Sequence, residues 1–406
     1  MSKKNIALID WNWMGHHPTY FTEFAAAMAR AGAEVVPLCA NPEDFNNRLS
    51  EVAEDHALRS RISMAEHVNG PRPSKFRPAR WRKQVEAFIF FRGLSKRLRA
   101  WERRNNRKID LVFFACIYDW QFEKFHNVAS TFPFRCSGLY LHARSFRMPG
   151  SPLPYFGIMP CPEKIFGSPQ MHSVGILDEG IRDPVSEVIG GKPVFVFPDI
   201  TDGNLPSGDF PEGFGGKLKA LAAGRPIVSL TGHLQWTKGI DVFTQAASHP
   251  ALRDIFFFLG GEVMWRDISP ELRKALESAW EGLPNLYAHL KHLPEKTMNS
   301  VVAASDVMVA TYRQFPNSSN ALTKAALFER PIVVSEGYLM AERVKTYGLG
   351  EVVPEGDVEA LVAAIQKMVK PEYYENLRSQ ARWAEYRQAH SVERLNEVFR
   401  EFIATL

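Results

Sequence analysis

Residues 231–241 read Thr231-Gly-His-Leu-Gln-Trp-Thr-Lys-Gly-Ile-Asp241. An apolar run at 226–230 precedes them and a helical pattern at 241–247 follows. The stretch therefore reads as a loop that leaves a strand and opens a helix. Gly232 lets the backbone turn, Gly239 permits close approach, and Lys238 brings a mobile cation. Such a loop suits a diphosphate, because the N–H groups of a helix start and a nearby cation both favour an anion. An ordinary surface loop has the same ingredients, so the surroundings have to decide.

Those surroundings are strands alternating with helices. Downstream, 255–259 is an apolar run closed by Gly260-Gly261, and 286–289, 307–310 and 331–334 are further strand candidates. Residues 320–328, 358–368 and 371–385 read as helices. Upstream, 6–9, 34–38, 111–117, 138–141, 164–166 and 194–197 are predicted strands. A helix is predicted over 18–30, with Phe21, Phe24, Ala25 and Met28 at helical spacing and Gly32 ending it. The unbroken apolar run 111–117 is what a strand covered on both faces requires. The pattern predicts an α/β fold with parallel, doubly wound sheets.

The 406 residues suffice for two cores. A Gly/Pro-rich stretch at 202–216 separates the two series. The expected division is a first lobe over 1–200, a second over 201–385, and a C-terminal segment over 386–406 that packs back on the first. In that last segment Val392, Leu395, Val398, Phe399 and Phe402 share one helical face. Two Rossmann-like sheets facing across a cleft would bind ligands at the carboxyl ends of their strands.

Three further loops follow strands. Phe315-Pro-Asn-Ser-Ser-Asn320 opens a helix, and Ser318, Ser319 and Asn320 are good N-cap residues. Plain capping explains them; so does an anion held on the free N–H groups, and both readings stand. Met14-Gly-His-His-Pro18 joins the first strand to the first helix. There Gly15, with His16 and His17 beside it, suits a phosphate or a substrate hydroxyl. Adjacent histidines lack the spacing of two metal ligands a helical turn apart, so no metal is expected. His142 ends another strand and is either a structural histidine or a cleft residue. There is no P-loop, no dinucleotide fingerprint and no nucleophile elbow.

At these residues the chain resembles the retaining glycosyltransferases of family 4, which have the GT-B fold. The family's G-R-L-x-x-x-K-G is matched by Gly232-His-Leu-Gln-Trp-Thr-Lys238-Gly239. Its E-A-x-x-x-x-x-P-V-V-x-S is matched by Lys324-Ala-Ala-Leu-Phe-Glu-Arg-Pro331-Ile-Val-Val-Ser335. The likeness is good over about 225–370 and loose in the first lobe. It implies a nucleotide-sugar as donor substrate, no cofactor, and a transfer that retains the anomeric configuration. It also implies that Lys238 is catalytic, holding the leaving diphosphate, with His142 positioning the sugar. His292, within Leu290-Lys-His-Leu-Pro294, falls where the family contacts the nucleobase.

The pattern also departs from the family. The phosphate-binding arginine falls on His233, and the two glutamates of E-x7-E fall on Pro316 and Lys324. The Ser318–Asn320 loop is then expected to hold the phosphates more firmly, and Lys324 to add a second cation. The alternative is an inactive GT-B relative that binds a sugar or nucleotide.

Charge is unevenly spread. Residues 72–108 carry fourteen Lys/Arg against Glu86 and Glu102, a balance of +12 in a chain whose total is +4. Trp81, Phe88, Phe90, Phe91 and Trp101 lie among them. The segment is either a solvated face or a docking patch for an anionic membrane surface, and no nucleic-acid module accompanies it. No run approaches the length of a membrane span and no signal sequence is apparent. The four cysteines form no C-x-x-C pair. The expectation is a cytoplasmic enzyme, peripheral at most, acting on a glycan, lipid-linked or small-molecule acceptor.

Overall fold

The computed structural model describes residues 3–53, 55–73, 81–152, 159–206 and 214–406. The chain divides into two compact units, Met1–Ile200 with His390–Leu406, and Thr201–Ala389.

The first unit is built on a seven-stranded sheet. Its strands are β1 Asn5–Asp10, β2 Glu34–Cys39, β3 Glu66–His67, β4 Leu111–Ile117, β5 Cys136–Tyr140, β6 Val174–Ile176 and β7 Val194–Val196. They lie in the order β3-β2-β1-β4-β5-β6-β7, and every pair is parallel. All seven residues of β4 are buried, so both faces of the sheet need cover. On one face helix α1, His17–Arg30, buries Phe21, Phe24, Ala25 and Met28. The C-terminal helix Val392–Ala404 joins it there. Ser391 caps that helix by accepting from Arg394 N, and Phe399 packs on Phe24 and Phe113 with ring centroids 5.2 and 5.6 Å apart. On the other face helix α2, Arg82–Asn105, buries Phe91, Leu94 and Leu98. Trp101 is half-buried against this core. Trp81, at the start of α2, is 46% exposed.

The second unit carries a six-stranded parallel sheet. Its strands are β8 Ile227–Thr231, β9 Phe256–Gly260, β10 Leu286–His289, β11 Val307–Ala310, β12 Ile332–Ser335 and β13 Gly350–Val353, ordered β10-β9-β8-β11-β12-β13. Helices α3 Ile240–Ser248, α4 Asn320–Leu327 and α5 Leu339–Tyr347 connect strands of this sheet.

Two local expectations are corrected. Residues 164–166 belong to a helical turn, Pro162–Phe166, because Pro162 and Glu163 suit a helix start. The helix expected over 371–385 is two, Pro371–Gln380 and Trp383–Ala389, since Ala381 takes an extended ψ of 135°. Among the described residues no helix is long and apolar enough to cross a membrane.

The sheet orders matter for function. In each sheet one strand has chain neighbours leaving in opposite directions, at β1/β4 and at β8/β11. The loops that follow such a pair diverge to opposite faces and open a crevice at the carboxyl edge. Among the loops singled out from the sequence, 231–241 leaves β8, 311–319 leaves β11, and 11–17 leaves β1.

Candidate functional site

In the second unit the two switch-point loops meet through one side chain that the sequence did not single out. Lys238 Nζ donates to the Tyr312 hydroxyl at 2.7 Å and lies 4.0 Å from the centre of its ring. The same hydroxyl is 3.3 Å from Ser319 Oγ. Ser319 is the N-cap of α4 and accepts from Ala321 N at 3.3 Å. A cation, a phenol and a helix start are thus joined in one hydrogen-bonded chain. Tyr312 is buried and Lys238 partly so, which strengthens the electrostatics along it.

The loop geometry depends on its glycines. Gly239 has φ +70°, and a Cβ there would collide with the Thr311 carbonyl oxygen. Gly232 has φ +112°, and its N–H donates to Gly260 O at 3.0 Å. Arg313 fixes the loop from outside. Its guanidinium reaches both carboxylate oxygens of Asp241, at 2.5 and 2.8 Å, and lies over Trp236 at 4.7 Å. A bidentate pair of this kind fixes orientation as well as distance.

The remaining donor-side candidates divide. Ser318 Oγ accepts from Arg343 Nη1 at 2.7 Å, and Arg343, on α5, is only 2% exposed. A guanidinium therefore lies directly behind the loop that opens α4. His233 is exposed on the 231–241 loop; partial desolvation, then the charge of Lys238, lowers its imidazole below the ordinary value. His292 contributes in the same direction, which places the two histidines near each other. Lys324 is different. Its ammonium is buried and donates to Asn299 Oδ1 at 2.6 Å, Glu295 Oε1 at 2.9 Å and Asp202 O at 3.1 Å. A buried ammonium needs such a carboxylate partner. The expected second cation for a diphosphate is thus committed elsewhere, inside the unit.

At the carboxyl edge of the first sheet, His17 Nδ1 donates to Asp10 Oδ2 at 2.7 Å. Nε2 of the same ring lies 2.9 Å from the Tyr118 hydroxyl and 3.0 Å from Asn12 Nδ2. Burial raises the Asp10 carboxyl, opposed by the His17 bond, and burial holds Tyr118 well above the usual phenol range. His17 is thus a buried member of a network, while His16 and Gly15 are exposed beside it. His142 packs edge-on to Tyr118 at 5.3 Å; burial, then the charges of His16 and His17, brings it down to about 4. At neutral pH it is an uncharged imidazole, suited to hydrogen bonding. Asp10, His17 and Cys116 offer ligand atoms within 4.8 Å of one another. Burial pushes the Cys116 thiol well above its ordinary value.

Residues 225–370 match the family model described as glycosyl transferases group 1. Among solved structures, Anabaena HepE in complex with UDP and glucose is similar at 14% identity, over 100% of both chains, with a TM-score of 0.68. Sucrose-phosphate synthase from Thermosynechococcus elongatus is similar at 16% identity over 100% of both chains, TM-score 0.68. A trehalose-6-phosphate structure from E. coli bound with UDP-2-fluoro glucose is similar at 13% identity, over 99% of this chain and 98% of the other, TM-score 0.67. No curated protein matches the sequence. The fold is GT-B, and the match to the group 1 model lies within its second unit. A chain of this fold and domain is a glycosyltransferase.

Proposed function

We propose that the protein transfers a hexosyl group from a nucleoside-diphosphate sugar, with UDP the first nucleotide to test, to a glycan or lipid-linked acceptor. The observation that carries this reading is the Lys238–Tyr312–Ser319 chain at the β8/β11 switch point. As the glycosidic C–O bond breaks, negative charge grows on the leaving phosphate. Lys238 and the N–H groups that open α4 stabilise that charge more in the transition state than in the ground state, as catalysis requires. Tyr312 holds the ammonium in place, and Arg343 adds a positive charge behind Ser318. In this reading side-chain and helix-start charges do the work of a metal. Retention follows from the family resemblance, with attack on the leaving-group face and the phosphate taking the acceptor's proton. Lacking glutamates at 316 and 324, the chain relies on phosphate contacts more than on carboxylates to hold the donor.

The acceptor belongs, in this reading, to the first unit, near His16 and His142. The same unit supplies a surface for an anionic membrane. Along α2 the exposed residues Arg92, Lys96, Arg99 and Arg103 recur at steps of four, three and four, one stripe of the helix. Ile89 is 60% exposed on the same helix. Other charges of the segment are spent internally. Arg97 and Arg104 pair with Glu66 at 3.3 and 2.7 Å, and Lys83 pairs with Glu123 at 2.8 Å. Lys75, Arg77 and Arg80 lie outside the described residues.

A thermal-shift and hydrolysis screen over nucleotide-sugars tests the proposal. Stabilisation and slow hydrolysis by at least one donor is the expected result. Binding without hydrolysis or transfer would favour a binding protein, and no binding would refute the donor site.

A further inference from the structure

Lys324 has no part in the donor contacts above, yet its ammonium is 2% exposed and fully engaged. It donates to Asn299 Oδ1 at 2.6 Å, Glu295 Oε1 at 2.9 Å and the Asp202 carbonyl at 3.1 Å. Glu295 and Asn299 lie one turn apart on the helix Glu295–Ala304. Asn299 is buried, and its Nδ2 donates to Asp202 O at 3.0 Å and to Asn204 O at 2.8 Å. One ammonium thus joins three pieces of the second unit: α4, the helix Glu295–Ala304, and the segment that opens the unit at Thr201.

That segment is fastened to α4 at successive residues. Thr201 Oγ1 donates to Asn320 Oδ1 at 2.8 Å. Asp202 O accepts from Lys324. A Cβ at Gly203 would collide with the Leu327 side chain, so the backbone lies directly on it. Asn204 N donates back to Asp202 Oδ1 at 2.8 Å. Asn320, Lys324 and Leu327 are spaced by four and three residues, one stripe of α4 from its first residue to its last. Residues 201–206 belong to no strand or helix, so side chains do the work that a sheet ladder would do.

A buried ammonium is costly to desolvate, and an apolar side chain of similar volume often packs as well or better. What the charge adds is geometry. Three acceptors on two other elements fix α4 both along its axis and sideways. The start of that helix, capped by Ser319, is where the leaving phosphate is proposed to bind. A displacement of about 1 Å at such a site is enough to impair it. We propose that Lys324 is a positioning residue for the donor: it ties α4 to residues 201–204, so that a diphosphate at the start of α4 and the ordering of 201–204 favour each other. Such a coupling is reciprocal, so either partner reports on the other. The inference rests on the donor reading above and adds to it the frame that holds the phosphate site.

The test is amide hydrogen exchange on the full chain with and without UDP or uridine, paired with calorimetry of both ligands. In the wild type UDP should slow exchange over 201–206 severalfold, and uridine should not. Lys324→Met/Glu295→Gln removes both charges, so that neither is left buried and unpaired. In this variant the protection should vanish and UDP affinity should fall about tenfold, with uridine affinity unchanged. Thr201→Val gives up a single hydroxyl, should melt as the wild type does, and should lose part of the protection; it decides the matter if the double variant does not fold. UDP binding that leaves exchange at 201–206 unaltered, full protection in Thr201→Val, or a folded double variant that keeps its UDP affinity or loses UDP and uridine equally, would each overturn the inference alone. Failure of UDP, ADP and GDP to bind the wild type would refute the donor reading, and this inference with it.

Discussion

Lys238→Met removes the ammonium, which lies 4.0 Å from the centre of the Tyr312 ring, and keeps an unbranched stem. The structure sets the size of the effect. The charge is 2.7 Å from the Tyr312 hydroxyl, which in turn is 3.3 Å from the Ser319 cap of α4. It therefore acts on the same anion as the helix start. Losing one pre-oriented donor to a developing anion costs about 3 kcal/mol in the barrier, a rate loss of about 100-fold or more. The fold should lose much less, about 1–2 kcal/mol, because Tyr312 keeps Ser319 as a partner and only one hydrogen bond to a charged group is gone. The assay is transfer at saturating donor with urea unfolding of the same preparations, so that a chemical defect is separated from a folding one. A turnover within threefold of wild type, in a folded variant, would remove Lys238 from the diphosphate site.

Ser319→Ala separates capping from binding: loss of the cap alone costs about 1 kcal/mol of stability, whereas the proposed role also weakens UDP affinity severalfold in calorimetry, and unchanged affinity would leave Ser319 a cap only. Asp119, buried with both carboxylate oxygens sharing the single Tyr140 hydroxyl proton, is pushed by burial up to about 6 from an ordinary 3.8. Its folded form prefers the proton, so its contribution is complete below 3.8 and is lost as pH rises through about 6, by about 3 kcal/mol. Asp119→Asn should abolish that component, and a wild-type-minus-variant stability difference equal at pH 4 and pH 7 would contradict it. Reversing Arg92, Lys96, Arg99 and Arg103 to glutamate should abolish co-sedimentation with anionic vesicles at low salt, since each basic residue near the surface contributes about 1 kcal/mol. Wild-type binding that survives about 0.5 M salt, where screening shortens to a few ångströms, would argue against an electrostatic surface.

Much of this arrangement is legible in the sequence because parallel α/β sheets write themselves plainly: unbroken apolar strands such as 111–117, and loops with glycine and a cation after them. Lys238 and Ser319 are found that way, each from its own loop. Tyr312 is not, since Thr311-Tyr312 reads as the tail of the strand 307–310, and only the pairing of β8 with β11 brings it to Lys238. Arg343 is hidden for a similar reason: its contact with Ser318 spans 25 residues and two helices. Asp10 carried a usable signal, a carboxylate ending an otherwise apolar strand, and its partner His17 gives it meaning. Lys324 shows the opposite case. Its position against the family pattern suggested a phosphate contact, while Glu295 and Asn299, from a helix that the sequence reading did not single out, claim the ammonium.

Calorimetric titration of the wild type and Lys238→Met with UDP, UMP and uridine isolates what Lys238 contributes to holding a diphosphate. UDP should bind the wild type more tightly than UMP or uridine, and Lys238→Met should remove most of that diphosphate increment. No binding of UDP, or of ADP and GDP in the same titration, or an increment untouched by the substitution, would contradict it.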